Sequence, residues 1–164
     1  MLTRARLAKE FSYDPETGEW TRIALGTNGK GIVGARAGYV HKFGYRQLKI
    51  DGCQHKEHRL AFLWMTGSFP PDDVDHINLV KSDNRWINLR AATRSQNMAN
   101  KARGMSNSSG LKGVSWFKPT GKWWAQIKVN GRGRSLGLYD CPAAAHLAYV
   151  VASDKAFGEF SRAA

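Results

Sequence analysis

The chain has 164 residues, 42% hydrophobic and 11% aromatic, enough for one ordinary domain or two small ones with a buried core, which excludes wholesale disorder. No apolar run approaches the roughly 20 residues of a membrane-spanning helix, residues 1–11 lack the apolar stretch of a secretory signal, and two cysteines, Cys53 and Cys141, can build neither a disulfide framework nor a four-cysteine zinc site. With 25 Lys and Arg against 13 Asp and Glu, the net charge of +12 is spread along the chain and calls for a polyanionic partner. No basic amphipathic helix is visible, which favours nucleic acid over an anionic membrane. A reducing cytoplasm is the expected compartment.

In chain order, Thr3 to Phe11 reads as a short helix, and Tyr13 to Ile23 as a hairpin whose turn runs from Asp14-Pro15 to Gly18. Residues 26–38 are Gly-rich and predict a loop. Tyr45 to Ile50 and Cys53 to Glu57 predict two strands joined by Asp51-Gly52. Arg59 to Met65 is helical and ends at Gly67. Pro70-Pro71 halts regular structure, and Val74 to Ile77 predicts a short strand. Thr93 with Gln96 three residues on forms a capping box for a helix that carries Asn97 and runs to about Ala102.

The small, polar stretch Arg103 to Gly110 predicts a linker, dividing the chain into residues 1–105 and 106–164, both net basic. Beyond it, Gly113 to Lys118, Trp123 to Val129 and Arg134 to Tyr139 predict three strands, with turns at Pro119-Thr120-Gly121 and Asn130-Gly131. Asp140 is placed to cap a last helix with Pro142 in its first turn. Ala145, Ala148, Ala152 and Ala156 recur at helical spacing, so a three-stranded antiparallel sheet packed on one helix is expected. The fold class is α+β.

Residues 72–97 concentrate the chemistry. Asp75-His76 follows the proline pair, Asn88-Leu89-Arg90 follows a polar loop, and Asn97 lies on the capped helix. A carboxylate and an amide oxygen are hard ligands that suit Mg²⁺ or Mn²⁺. A neighbouring imidazole can take a proton from water near neutral pH. Cys53, His55 and His58 do not make a zinc site, because His58 leaves the strand face the other two share and no second Cys pair exists. His58 is expected to support the fold beneath the site.

The order His76, Asn88, Asn97 resembles the HNH nuclease motif, the ββα-metal site of phage and intron homing endonucleases, in its variant with Asn as third letter. Asp75 before the His, Asn84-Arg85-Trp86 in the loop, Leu89-Arg90 after the middle Asn, Thr93 at the cap, Y-D-P-E-T-G-E-W at 13–20 and H-R-L-A at 58–61 accompany it. The resemblance spans about residues 11 to 102. It implies that Asp75 and Asn97 ligate one divalent ion, that His76 is the general base for water, and that Asn88 holds the loop so that His76 points correctly. By their charge, Arg90 and Arg94 are candidates to steady the phosphate. Many relatives carry Gly where this chain has Leu79; if that position needs φ > 0, leucine is strained there.

In the second part, Trp123, Ala125, Ile127 and Val129 suit a helix-covered face, while Trp124, Gln126 and Lys128 point the other way. That outward row suits a sheet lying in a DNA groove, Gln reading a base edge and Lys meeting phosphate. Lys112, Lys118, Lys122, Arg132 and Arg134 are expected around it. K-G-V at 112–114, G-K-W at 121–123, A-Q-I-K at 125–128, L-G-L-Y-D at 136–140 and F-G-E-F at 157–160 resemble the plant Apetala-two, or ethylene-response-factor, DNA-binding domain. That family's first-strand arginines are replaced here by Ser115 and Phe117, so its base preference does not carry over.

The expected function is a site-specific DNA endonuclease using one Mg²⁺ or Mn²⁺ and no zinc. It acts on double-stranded DNA as a monomer in the cytoplasm of a bacterial or phage-infected cell, and its single catalytic set predicts a nick in one strand. The rival readings are a DNA-binding regulator with a degenerate nuclease site, and an RNA-directed protein whose sheet stacks single-stranded bases.

Overall fold

A computed structural model describes residues 2–26, 29–104 and 107–162. Met105 and Ser106, in the middle of the expected linker, lie outside them. The fold is α+β and divides into two compact units, Met1–Ala91 and Ala92–Ala164. Among the described residues no helix is long and apolar enough to cross a membrane.

The first unit opens with α1 (Arg4–Leu7), whose N-cap Thr3 accepts from the Arg6 amide at 3.2 Å. The helix is shorter than predicted. Phe11 is fully buried and begins β1 (Phe11–Tyr13), which pairs antiparallel with β2 (Trp20–Arg22) in the register Phe11↔Arg22 and Tyr13↔Trp20. The Asp14 carboxylate takes the Glu16 amide at 2.9 Å and its carbonyl takes the Gly18 amide, closing the expected turn.

After Gly38, β3 (Tyr39–Val40), β4 (Arg46–Ile50) and β5 (Cys53–Lys56) form an antiparallel meander. Asp51 and Gly52 both hold positive φ, as a two-residue hairpin turn with right-handed strand twist requires. Helix α2 (Glu57–Thr66) follows, two residues earlier than predicted, and ends on left-handed Gly67. Leu7, Phe11, Trp20, Leu48, Leu60 and Leu63 make the core. Full burial of each such side chain contributes about 1.5–3 kcal/mol, so the core anchors both ends of the strip that follows. That strip is β6 (Asp73–His76) paired with β7 (Leu89–Ala92), joined by a loop that ends in a single 3-10 turn at Trp86–Asn88.

In the second unit α3 (Arg94–Asn100) starts at the predicted capping box, Thr93 and Gln96 bonding reciprocally. The sequence reading grouped this helix with residues 1–105. The compact division instead falls before Ala92, and Ala92 and Ala99 share a core with Ile127, Tyr149, Phe157 and Phe160. Strands β8 (Val114–Phe117), β9 (Lys122–Val129) and β10 (Arg132–Tyr139) form the expected antiparallel sheet in the order β10-β9-β8.

Helix α4 (Pro142–Phe157) packs on that sheet. Its N-cap is Cys141, one residue beyond the expected Asp140: the sulfur accepts from the Ala144 amide at 3.4 Å. The buried stripe is Ala145, Tyr149, Ser153 and Phe157; Ala148 and Ala152 pack partly buried against the same cores, and Ala156 faces out, so the alanine spacing marks the covered face except at its end. Gly113 must be glycine, because a Cβ there would overlap the Tyr149 ring.

Candidate active site

Asp75 and His76 are the last two residues of β6, and both are buried at 3% and 5% exposure. Adjacent strand residues face opposite ways, so burying two polar side chains in succession requires partners on both faces. On one side Arg90 of β7 brings Nε and a terminal nitrogen to within 2.9 Å of Asp75 Oδ2. The sequence reading gave Arg90 to the phosphate; in the structure its largely buried guanidinium is the counter-charge of Asp75.

On the other side His76 Nε2 stands 3.3 Å from Asn84 Oδ1. The His76 ring also meets the His58 ring edge-on at 4.9 Å between centroids, with the Tyr45 ring 6.1 Å away. Burial lowers the His76 pKa below its ordinary value, opposed by the Asn84 contact and the Asp75 charge. His58 is driven down to about 2, by burial first and then by neighbouring His76, Lys56 and Arg59. It is a neutral ring packed beneath His76, in the supporting place expected for it.

The loop between the two strands is tied at both ends by Asn88. Its Oδ1 accepts from the Asn78 amide at 3.0 Å, its Nδ2 donates to the Asp83 carbonyl at 2.8 Å, and its own carbonyl accepts from the Ile77 amide at 3.0 Å. Asn78 Nδ2 adds a 2.7 Å bond to Asp83 Oδ2. Inside this clamp Leu79 holds φ 66°, the left-handed conformation at which leucine was expected to be strained. That costs roughly 1–2 kcal/mol, less than the summed net worth of four hydrogen bonds at about 1 kcal/mol each.

Sequence reasoning did not single out Lys56 and Lys81. Their ammonium groups lie 4.7 Å and 5.1 Å from the Tyr45 ring centroid, beside His76, and both side chains are exposed. Lys81 also donates to the Phe43 carbonyl at 3.1 Å. The signal was present: both lysines lie within or at the edge of the motif cluster, one before Glu57-His58 and one in the Asn78–Asn88 loop.

In the second unit Asn97 sits partly exposed on α3, and Arg94 is exposed at that helix's first position. Among the described residues no group of three or more His, Cys, Asp or Glu is placed to hold a metal. Asp75, a carboxylate, belongs to the first unit, and Asn97, an amide, to the second. The outward row of β9 forms as expected, with Gln126 and Lys128 exposed on the face opposite buried Ala125 and Ile127. Trp124 lies on that face too, held by Nε1–H to Ser135 Oγ at 2.8 Å and by the Phe117 ring.

Three basic residues sit otherwise than expected. Arg134 pairs with Ile127 and Arg132 with Val129, so both occupy the sheet face opposite Gln126. Lys112 donates to the carbonyls of Ala99, Lys101 and Arg162 at 2.5, 2.8 and 2.9 Å. All three ammonium hydrogens are used, and burial lowers its pKa to about 8, so it ties α3 to the C-terminal segment instead of facing a phosphate. Lys122 lies 3.0 Å from Asp140, and Lys118 is exposed in the turn before β9.

Three comparisons bear on this arrangement. The signature of a family described as HNH endonuclease matches residues 55–99. An uncharacterised HNH endonuclease of Acanthamoeba polyphaga mimivirus is 33% identical over 132 residues, which is 79% of this chain and 67% of that protein. A structure of DNA binding and cleavage by the HNH homing endonuclease I-HmuI aligns with a TM-score of 0.44 and 22% identity, covering 89% of this chain and 84% of that one.

Proposed function

The chain belongs to the HNH endonuclease family, and from that premise we propose that it is a site-specific, metal-dependent DNA endonuclease that nicks one strand of a duplex. The observation that carries the reading is His76: a buried, neutral imidazole at the end of a short strand, next to Asp75 and held from behind by Asn84. A base must be unprotonated to act, and burial keeps it so at neutral pH.

His76 takes a proton from a water molecule. The oxygen of that water bonds to phosphorus as the bond to the 3′ oxygen breaks, and the 3′ oxygen takes its proton from solvent. The products are a 5′-phosphate and a 3′-hydroxyl. Asp75 and Asn97 offer hard oxygen donors that fit Mg²⁺ or Mn²⁺, and an ion held there would supply charge stabilisation at the departing oxygen. Asn88 keeps the loop closed so that β6 ends where His76 is needed. Lys56 and Lys81 hold the backbone phosphates next to the cut.

The second unit places the chain on its sequence through the outer face of β9, with Gln126 at a base edge and Lys122 and Lys128 at phosphates; this is the Apetala-two-like part of the proposal. Arg94 and Lys118, both exposed, add charge to the duplex's surroundings. One catalytic set per chain supports a monomer that nicks, and a DNA substrate supports a cytoplasmic place of action.

The regulator reading rests on Leu79 alone. The left-handed turn is made with leucine in it, so that reading has no other support. Supercoiled plasmid incubated with Mg²⁺ tests the proposal: conversion to open circle before linear form is expected, and no conversion in chelator. Undiminished cutting in chelator, or no cutting of any duplex with Mg²⁺ or Mn²⁺, overturns it.

A further inference from the structure

Glu57 is a carboxylate with no exposed surface, and the mechanism above does not use it. Burying an ion pair costs several kcal/mol per charge in desolvation and adds little net stability, so its presence calls for another reason. Arg46 Nε approaches its two oxygens at 3.0 and 3.2 Å, and Arg46 also donates to the Ala37 carbonyl at 3.0 Å. The second partner of Glu57 is Asn84, buried at 1% exposure, whose Nδ2 donates to Oε2 at 3.1 Å. Arg46, Glu57, Asn84 and His76 thus form one continuous chain of polar contacts that reaches the imidazole.

We infer that Glu57, acting through Asn84, is a positioning residue that sets the tautomer of His76 and so makes Nδ1 the atom that accepts the proton. Burial raises the Glu57 pKa, opposed by Arg46 and Asn84; ion-paired to Arg46, the carboxylate can only accept hydrogen bonds, so it must face the NH₂ group of the Asn84 amide. The amide oxygen is thereby turned toward His76 Nε2. A carbonyl oxygen also only accepts, so Nε2 carries the hydrogen and Nδ1 keeps its lone pair. Reversing the amide would bring an N–H against Nε2 and favour the opposite tautomer, whose Nδ1 cannot take a proton.

The segment preceding the family-matched residues 55–99 closes over this relay. Gly38, at φ 80°, lies so close that a Cβ would overlap Glu57 Oε1, and Gly18, at φ 73°, lies against the Asn84 main chain in the same way. Tyr13 donates its hydroxyl hydrogen to the Asn84 carbonyl at 2.7 Å. Gly18 and Gly38 therefore pack directly on the relay, and Glu57 and Asn84 are both buried beneath them.

The inference rests on His76 being the base, but its first test does not. Ring ¹⁵N shifts of His76 in the wild-type chain should show protonated Nε2 and unprotonated Nδ1; protonated Nδ1 overturns the inference whatever the chain cuts. In Glu57→Gln the carboxylate no longer dictates the amide, so a mixture of tautomers is expected. Single-turnover cleavage should fall in proportion to the lost Nε2-protonated fraction, by roughly 2- to 10-fold, at an unchanged duplex Kd. Asn84→Leu, which removes the acceptor and leaves the Arg46–Glu57 pair, should show the same pattern. Variants that lose melting temperature while keeping wild-type tautomer and rate per folded molecule assign Glu57 a purely structural part and overturn the inference. Wild-type cutting by His76→Ala would instead remove the base assignment and leave the tautomer result standing.

Discussion

Arg90 meets Asp75 Oδ2 with two nitrogens at 2.9 Å, both side chains largely withdrawn from water. The carboxylate assigned to the metal is thus already neutralised by the protein. Removing one partner of such a pair is expected to cost about 3–5 kcal/mol, because the other is left buried and charged. Arg90→Gln should lower the unfolding free energy of the first unit, read from urea titration, by that measure, and Mg²⁺ should recover part of the loss. Combining it with Asp75→Asn should cost less than the sum of the single changes. Strictly additive losses would mean that the two side chains do not depend on each other.

Lysines in different surroundings should respond differently. Lys56→Ala and Lys81→Ala remove exposed charges beside His76, so each should weaken binding of all duplexes and reduce the salt slope by about 1. Lys112→Met should leave the salt slope unchanged and lower the melting temperature, because it deprives three carbonyls of their donor. A salt-slope change for Lys112→Met, and none for the other two, would reverse these assignments.

On β9, Gln126 and Lys128 are exposed on the face that also carries Trp124. Gln126→Ala should relax base preference at one position by about 1–3 kcal/mol, whereas Lys128→Ala should weaken all sequences alike. Selection of bound sites from random duplexes reads both, and an unchanged site logo for Gln126→Ala assigns base reading elsewhere. Deleting residues 106–164 is not an equivalent experiment. Ala99 of α3 packs against Ile127, Tyr149 and Phe157, so the deletion takes away that helix's core.

Buried His58, held at about 2, binds no proton in the folded chain over the ordinary pH range, while the unfolded chain binds one below about 6.5. Stability is therefore unaffected by this group above about pH 6.5. It is lost as pH falls, by about 1.4 kcal/mol per pH unit, because the unfolded state takes up the proton. His58→Phe should flatten the acid limb of the first unit's stability-against-pH curve. Wild type and variant falling in parallel between pH 6 and 4 would show that His58 protonates while folded.

Much of this was legible in local patterns. Asp51-Gly52, Gly67 and the Thr93–Gln96 box are signals complete within four residues, and each marks the turn or helix end where it stands. Phe11 misled because its spacing from Leu7 fits a helix and its spacing from Tyr13 fits a strand; cross-strand pairing with Arg22 decided between them. Two-residue β3, exposed throughout, has no alternation to read. Arg132 and Arg134 were assigned by proximity to Gln126, whereas pairing across β9 and β10 puts them on the other face. Glu57 gave no local sign at all, since its partners lie 11 and 27 residues away. The motif picks out the candidate reacting groups, and only the fold shows what holds them.

On the proposed function, His76 is the base of a metal-dependent cut in one DNA strand. Its most direct test is single-turnover cleavage of a duplex labelled separately on each strand, with duplex affinity measured in parallel. The wild-type chain with Mg²⁺ should cut one labelled strand and stop in chelator; Asp75→Ala and Asn97→Ala should not cut, and His76→Ala should be slower by roughly 100-fold or more at nearly unchanged affinity. Equal, simultaneous loss of both strands, or wild-type cutting by His76→Ala, would contradict the account.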